Sequence, residues 1–408
     1  MAGTLNAADP HHAAVPGFPM ERAARCPFDP PPGLRDKQQE GPLAKVRLWD
    51  GSTPWLVTRY ADQRTLLGDP RLSSDITRPG YPSDVPVSGA GSIGFILMDD
   101  PEHSRLRRMV TAPFAVRRVE AMRPAVQKIT DQLIDAMLAG PVPVDLVQAF
   151  ALPLPSLVIS ELLGVPYGDH EFFQENSKTL INRAAAPEER AGASAALAGY
   201  LDELMGEKIA RPADDLLSGL VSRIEAGELT RSEAAQMGVL LLLAGHETTA
   251  NMIALGTLAL LENPDQLALL RDTDDPALVA SAVDELLRYL NITHNGRRRV
   301  ALEDIEIAGE VIRAGEGIIV PNDIGNRDPD MFEDPDRLDI RRDARRHLAF
   351  GFGVHQCLGQ TLARMELQVA YSTLYRRIPG LRQAAPMEEI PFKHDGSVYG
   401  VYELPVAW

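Results

Sequence analysis

Apolar residues recur at helical spacing through the middle and the last third of this chain. From about residue 119 to 211 Ala, Leu and Glu dominate, and apolar side chains return every three or four positions, the period of one buried helix face. Breaks fall near Gly140-Pro141, Pro166 and Pro187, where the residue types oppose helix continuation. Thr230-Arg231-Ser232-Glu233 is a capping box, with a hydroxyl at the N-cap and a carboxylate three residues on. It predicts a helix running to about Glu262, stopped by Asn263-Pro264 and spanning about 48 Å. Val239 to Leu243 is apolar almost all round, so this helix belongs in the core. Asp275-Pro276 opens another helix with proline at its first position. Leu358, Leu362, Met365 and Val369 mark a further helix that starts just after Cys357.

Alternation replaces this period in two places. Val46 and Leu48, a turn at Asp50-Gly51 and the run Trp55 to Thr58 predict a hairpin, with a short helix over Asp62 to Leu67. Residues 291–321 read as strands around Val300, Ile305, Ile307, Val311-Ile312 and Ile318 to Val320, and more strand is expected at the C-terminus. Residues 71–98 are rich in Ser, Pro and Gly and keep no period. So long an irregular stretch inside a folded chain points to a lid or binding loop. Residues 1–24 read as an irregular arm and 25–408 as one folded unit.

Composition narrows the class. The chain has 408 residues, 45% of them hydrophobic, enough for a sizeable core. A net charge of −16 argues against a nucleic-acid partner. Cys26 and Cys357 lie far apart and make no disulfide framework, which suits a reducing cytosol. The first 20 residues hold no apolar signal core. The strongest apolar run, Val239 to Ala244, is far short of the ~20 residues that span a bilayer. The expectation is a soluble cytoplasmic protein, monomeric and without a membrane partner.

One cysteine stands out by its surroundings. Free cysteine is usually a small buried hydrophobe. Cys357, however, sits at a helix N-terminus, where unpaired N–H groups favour a thiolate. It also lies in Phe350-Gly351-Phe352-Gly353-Val354-His355-Gln356-Cys357-Leu358-Gly359. That decapeptide is similar to the haem-ligand loop of the cytochrome P450 family. The resemblance covers the chain from about Arg25 to the end, with four motifs in order. It implies a mainly helical triangular prism with a smaller β-rich lobe and one buried haem. The cofactor implied is haem b, with the Cys357 thiolate as axial ligand and Phe350, Gly351 and Gly359 in the cradle. A thiolate ligand pushes electron density onto haem iron and favours O–O cleavage.

Other segments take on roles through the same resemblance. Asp99 to Arg108 is a good helix opening, acidic then basic. By resemblance His103 and Arg107 meet the haem propionates, as do Arg299 and His355. Arg297 and Arg298 read as a basic edge strand. Within the long helix, Ala244-Gly245-His246-Glu247-Thr248-Thr249 places small, acidic and hydroxyl residues in an apolar core, a local conflict of the kind that marks function. His246-Glu247 does not make a zinc protease motif, because Ala250 stands where a second His is needed. A helix whose threonines bond back to its own carbonyls is the structural reading. The family reading sets Ala244 and Gly245 against the porphyrin, has Thr248 hydrogen-bond the oxygen being activated, and has Glu247 relay protons.

Glu285 and Arg288 are an ordinary i,i+3 pair. The resemblance makes them a structural brace with Arg337 of Pro335-Asp336-Arg337, although Leu338 stands where the family commonly has Phe. Pocket residues are expected among Leu240, Leu243, Ile292, His294, Asn295 and Val398, under a lid at 71–98 and a helical roof over 172–200. The implied activity is hydroxylation of a hydrophobic natural product, sterol-like compound or xenobiotic with O2. Electrons are expected from a ferredoxin and an NAD(P)H-dependent ferredoxin reductase, docked on Arg105, Arg107, Arg108, Arg117 and Arg118. A peroxide-driven haem-thiolate peroxygenase and a non-catalytic haem sensor or carrier are the alternatives.

Overall fold

The computed structural model describes residues 15–23, 26–84, 94–181, 185–293, 295–394 and 398–408. Its first third mixes short elements: α1 (Pro32–Glu40), β1 (Leu43–Lys45), β2 (Trp55–Val57), α2 (Tyr60–Leu67) and β3 (Leu72–Ser73). There follow α3 (Glu102–Thr111), α4 (Val116–Ala139), β4 (Val144–Asp145), α5 (Pro153–Leu163), α6 (His170–Ile181), α7 (Pro187–Ala210) and α8 (Leu216–Glu225). Next come α9 (Arg231–Leu261), α10 (Pro264–Arg271) and α11 (Pro276–Tyr289). The strands β5 (Arg297–Ala301), β6 (Ile305–Ile307), β7 (Glu310–Ile312) and β8 (Gly317–Val320) precede α12 (Asn322–Gly325). An irregular meander then leads to α13 (Gln360–Arg377), β9 (Arg382–Gln383) and β10 (Pro405–Ala407). The expected mainly helical architecture with a smaller β-rich part is what forms. Positions 1–14 and 24 of the arm, 85–93 of the irregular stretch, 182–184 of the roof and His294 lie outside the described residues.

Capping chemistry sets the boundaries that sequence predicted. The Thr230 hydroxyl accepts from the Glu233 N–H at 3.1 Å, and the Glu233 carboxylate accepts from the Thr230 N–H at 2.7 Å. The helix they open, α9, runs for 31 residues. Asp275 accepts from the Ala277 N–H at 2.9 Å ahead of Pro276. α1 escaped the sequence reading because it is short and polar, with only Leu34 and Gln38 buried.

The core is built around α9, which packs against α5, α7 and α13. α9 is long and apolar enough to cross a membrane by length and composition, but most of its apolar window is buried inside the protein. Gly245 lets α5 approach: a Cβ there would lie 2.9 Å from Ile159 Cδ1. The β-rich part carries a five-stranded sheet in the order β1-β2-β8-β5-β3. Arg297 pairs with Val320 and Arg299 with Ile318 in that sheet. The two-residue period of a strand therefore puts Arg297 and Arg299 on one face and Arg298 on the other.

Candidate active site

The cysteine loop is shaped by two backbone conformations that glycine supplies. Gly351 and Gly353 have φ of 71° and 76°, a left-handed region that side chains resist. A Cβ on Gly351 would lie 2.7 Å from Arg297 Nε, and one on Gly353 would collide with the Leu67 carbonyl. The Cys357 N–H donates to the Phe350 carbonyl at 2.8 Å and closes the turn. The thiol is exposed at its tip yet enclosed by protein, so it lines a cleft within the body of the molecule. Burial pushes its pKa up, against the Gly359 N–H and the positive charges of Arg297, Arg107 and Arg364.

The approach to the loop is held by His347, Asp284 and Arg364, which sequence reasoning did not single out. His347 Nδ1 accepts from the Ala349 N–H at 3.1 Å, so its proton is on Nε2, 3.4 Å from Asp284 Oδ1. Arg364 donates to the same Asp284 oxygen at 2.7 Å and sets its guanidinium over the Phe350 ring, 4.6 Å from the centroid. These contacts join three distant segments, so no local pattern announces them.

Beside the loop lies a cluster of cations and imidazoles. The His103 and His355 rings pack with centroids 4.1 Å apart. Arg107 donates to the Gln356 carbonyl at 2.6 Å. Arg297 donates to the Ala349 carbonyl at 2.9 Å and Arg299 to the Arg298 carbonyl at 2.6 Å. His103 Nε2 and Arg297 Nη1 are buried without a partner. Among the described residues, no carboxylate forms an ion pair with Arg107, Arg297 or Arg299. Burial, then the charge of Arg299, lowers Arg297 to about 10. Burial, then Arg299 and His103, pushes His355 down to about 3. A buried excess of positive charge with orphaned donors fits an anion carrying two carboxylates, which is what the haem propionates are. The sequence reading placed Arg297 with Arg298 on a basic edge; the structure groups it with Arg299, and Arg298 turns to the Pro82 carbonyl at 2.6 Å.

The middle of α9 has one open face. Ala244 is exposed and Gly245 and Thr248 are half-buried, while His246, Glu247, Thr249 and Ala250 are buried. The Thr248 hydroxyl donates back to the Ala244 carbonyl at 2.7 Å, as the structural reading of that stretch anticipated. Gly245 lacks a side chain because Ile159 takes the space, so Ala244 is the residue that fronts the cleft. The Glu247 carboxylate does not meet Thr248. It accepts from Lys393 Nζ at 2.7 Å and from Asn251 Nδ2 at 3.2 Å. Burial raises its pKa, but Lys393, His246 and these hydrogen bonds outweigh that and lower it.

Of the expected pocket residues, Leu240 is buried beneath Gly94, and Leu243 and Ile292 are partly buried. Asn295 is buried, Val398 is half-buried, and the Tyr399 N–H donates to the Ile292 carbonyl at 2.8 Å. Phe95 packs 6.3 Å from the His103 ring, so the end of the irregular stretch bridges the cation cluster and α9.

The brace needs one correction. Arg288 grips Glu285 through two hydrogen bonds of 2.7 and 2.8 Å, both side chains fully buried. The third member is Arg342, whose Nε lies 3.2 Å from Glu285 Oε1. Arg337 contributes only its backbone carbonyl, which accepts from Arg288 and Arg342. The meander turns so that its main chain, rather than the Arg337 side chain, faces the pair. The basic patch also shrinks. Arg105 is neutralised by Glu102 and Glu233, Arg107 points inward, and Arg118 lies 3.8 Å from Asp214. Arg108 and Arg117 remain exposed.

A thiol in a tight loop, a cluster of cations with buried orphaned donors and a polar break in an apolar helix fit what a haem-thiolate site would require. Known proteins agree. The Cytochrome P450 family profile matches residues 46–378. Cytochrome P450 GfsF of Streptomyces halstedii is 60% identical, with 99% of each chain covered, and its crystal structure superposes with a TM-score of 0.91. The Vitamin D3 dihydroxylase of Streptomyces griseolus is 48% identical over 99% of this chain and 100% of its own. The mycinamicin VIII C21 methyl hydroxylase MycCI of Micromonospora griseorubida, solved with mycinamicin VIII bound, is 42% identical over 97% of this chain and 100% of its own, with a TM-score of 0.90. The chain belongs to the cytochrome P450 family. It is a monooxygenase, an oxidoreductase of the haem-thiolate type.

Proposed function

We propose that this enzyme hydroxylates an unactivated carbon of a hydrophobic natural product. A macrolide lactone is the first class to test and a secosteroid the second, since the similar proteins named above act on or bind such compounds. The overall change is RH + O2 + 2 e⁻ + 2 H⁺ → ROH + H2O. The electrons come from NAD(P)H through a ferredoxin reductase and a ferredoxin. Residues 25–408 serve as one catalytic unit.

The observation that carries this reading is the cation cluster around the Cys357 loop, which has buried donors and in which, among the described residues, Asp100 beside His103 is the carboxylate in contact while Arg107, Arg297 and Arg299 pair with none. His103, Arg107, Arg297, Arg299 and His355 would hold the propionates of haem b, and Cys357 would be its axial ligand. When bound, haem with a thiolate ligand supplies O–O cleavage and oxygen insertion. The chain's own work is to place substrate and protons. Ala244 leaves space on the open face of α9. The Thr248 hydroxyl, now bonded to the Ala244 carbonyl, can turn to hold a proton over that space. Glu247 is the nearest acid in sequence able to resupply it. Leu240, Leu243, Ile292 and Val398 form apolar wall. Arg108 and Arg117 offer positive charge to an acidic ferredoxin.

Reconstituted turnover tests this. The enzyme, ferredoxin, reductase and NAD(P)H should convert a macrolide lactone or secosteroid to a product heavier by one oxygen. Turnover with peroxide alone, and none with the ferredoxin system, would make it a peroxygenase. Binding without conversion under either condition would make it a carrier.

A further inference from the structure

The ion pair at Glu247 ties α9 to two paired C-terminal segments, residues 391–394 and 398–402. Phe392 bridges Val401, and the Lys393 N–H donates to the Gly400 carbonyl at 2.9 Å. The second segment carries Val398, and its Tyr399 N–H donates to the Ile292 carbonyl at 2.8 Å. From the first segment the Lys393 side chain, largely buried, reaches Glu247 at 2.7 Å. Asn251, one helical turn beyond Glu247, donates to both its carbonyl and its carboxylate at 2.8 and 3.2 Å. A Cβ on Gly400 would collide with the Asn251 amide oxygen, so this paired region lies directly on α9. Glu247 is thus fastened toward Lys393 and away from Thr248.

We propose that Lys393 is a positioning residue for Glu247: its ammonium, brought to α9 by this paired region, keeps the carboxylate ionised and turned away from Thr248. The physical basis is that a desolvated carboxylate stays ionised only while a cation faces it. The charged and titratable groups acting on it are Lys393 from the C-terminal segment and His246 from its own helix; Asn251 adds a neutral donor. The His246 imidazole is itself held neutral by burial, which leaves Lys393 as the facing cation. This role rests on the reading of Glu247 as part of the proton route.

The test uses the haem-loaded enzyme and reads Glu247 directly, as the infrared carbonyl stretch of a protonated carboxylic acid. Glu366, buried and pushed well upward by desolvation, contributes such a band in every variant. Lys393→Met should add a second band at neutral pH, absent from Lys393→Met/Glu247→Gln. Turnover of Lys393→Met should also gain a slope between about pH 6 and 8 that the parent and Lys393→Arg lack and that Glu247→Gln in the same background removes. Lys393→Gln, which keeps a polar end, repeats the measurement if Lys393→Met does not fold. An ionised Glu247 in both charge-removing variants, with the parent's pH profile, would overturn the proposal. Separately, a Glu247→Gln enzyme that turns over like the parent would remove Glu247 from the proton route, while the infrared band would still decide whether Lys393 sets its charge.

Discussion

Two groups of buried charges in this molecule are settled differently. In the frame behind the cysteine loop each buried carboxylate is held by two partners. Glu285 meets Arg288 and Arg342, and Asp284 meets Arg364 and His347. In the cleft, Glu247 has Lys393 as its facing cation, and Arg107, Arg297 and Arg299 around the cysteine loop form no ion pair with a carboxylate among the described residues. The first arrangement makes a fixed frame. The second is electrically incomplete until a ligand arrives, which is where binding energy and movement can enter. The difference separates residues that hold shape from residues that handle cofactor, substrate and protons.

The largest effect should come from breaking the frame. Glu285→Ala leaves Arg288 buried and unpaired, a loss of about 3–5 kcal/mol. Little folded protein is expected, measured by denaturant unfolding. The same measurement separates the two candidate third members. Arg342→Ala should be clearly destabilising, and Arg337→Ala should stay within about 0.5 kcal/mol of the parent. Equal effects would contradict the assignment to Arg342.

Next in size is the cation cluster. Replacing Arg107 and Arg299 together by Ala should weaken haem retention, each lost partner of a buried carboxylate being worth about 2–5 kcal/mol. Haem transfer to an excess of apomyoglobin gives the rate. In contrast with Glu285→Ala, the apoprotein should keep its fold, because the cluster is repulsive in the absence of an anion. A double variant that held haem as firmly as the parent would place the propionates elsewhere.

Thr248→Ala should change partitioning rather than binding. It removes a hydroxyl from the open face and leaves the pocket wall in place. NAD(P)H consumption should continue while product falls and hydrogen peroxide rises, counted per NAD(P)H oxidised. Full coupling in that variant would reduce Thr248 to a core residue bonded to its own helix.

The smallest expected effect is a pH slope in stability. Burial keeps the His347 imidazole neutral, with its pKa below the ordinary value despite Asp284. As pH falls below ~6.5 the unfolded chain takes up this proton before the folded one does. Stability is therefore full above that pH and declines as pH drops toward the folded-state value. His103, His246 and His355 are depressed in the same direction. His347→Gln should make the slope shallower without abolishing it, and an unchanged slope would contradict a buried neutral His347. Asp284 shifts downward, so its contribution is lost only at lower pH, below the ordinary carboxylate range.

Much of this was legible in the chain because the signals are local. The capping box at Thr230, the proline at position 276 and the glycines around Cys357 each act within a few residues. Thr248 and Glu247 were visible as polar residues in an apolar helix. Contacts across the chain were not. Arg337 and Arg342 are equally plausible by type, and only the path of the meander selects Arg342. Arg297 and Arg299 share a face because β5 pairs antiparallel with β8, a register that composition does not show. Lys393 lies 146 residues from Glu247, with no pattern to join them, so sequence could not supply this ion pair.

The central claim is that Cys357 is the thiolate that binds haem iron, and the ferrous–carbon monoxide spectrum tests it most directly. The parent should show the strongly red-shifted Soret band of a thiolate-ligated haem. Cys357→Ala should lose that band even where some haem is still bound through the cation cluster. A Cys357→Ala protein that kept the red-shifted band would contradict the account, since the ligand would have to be another residue.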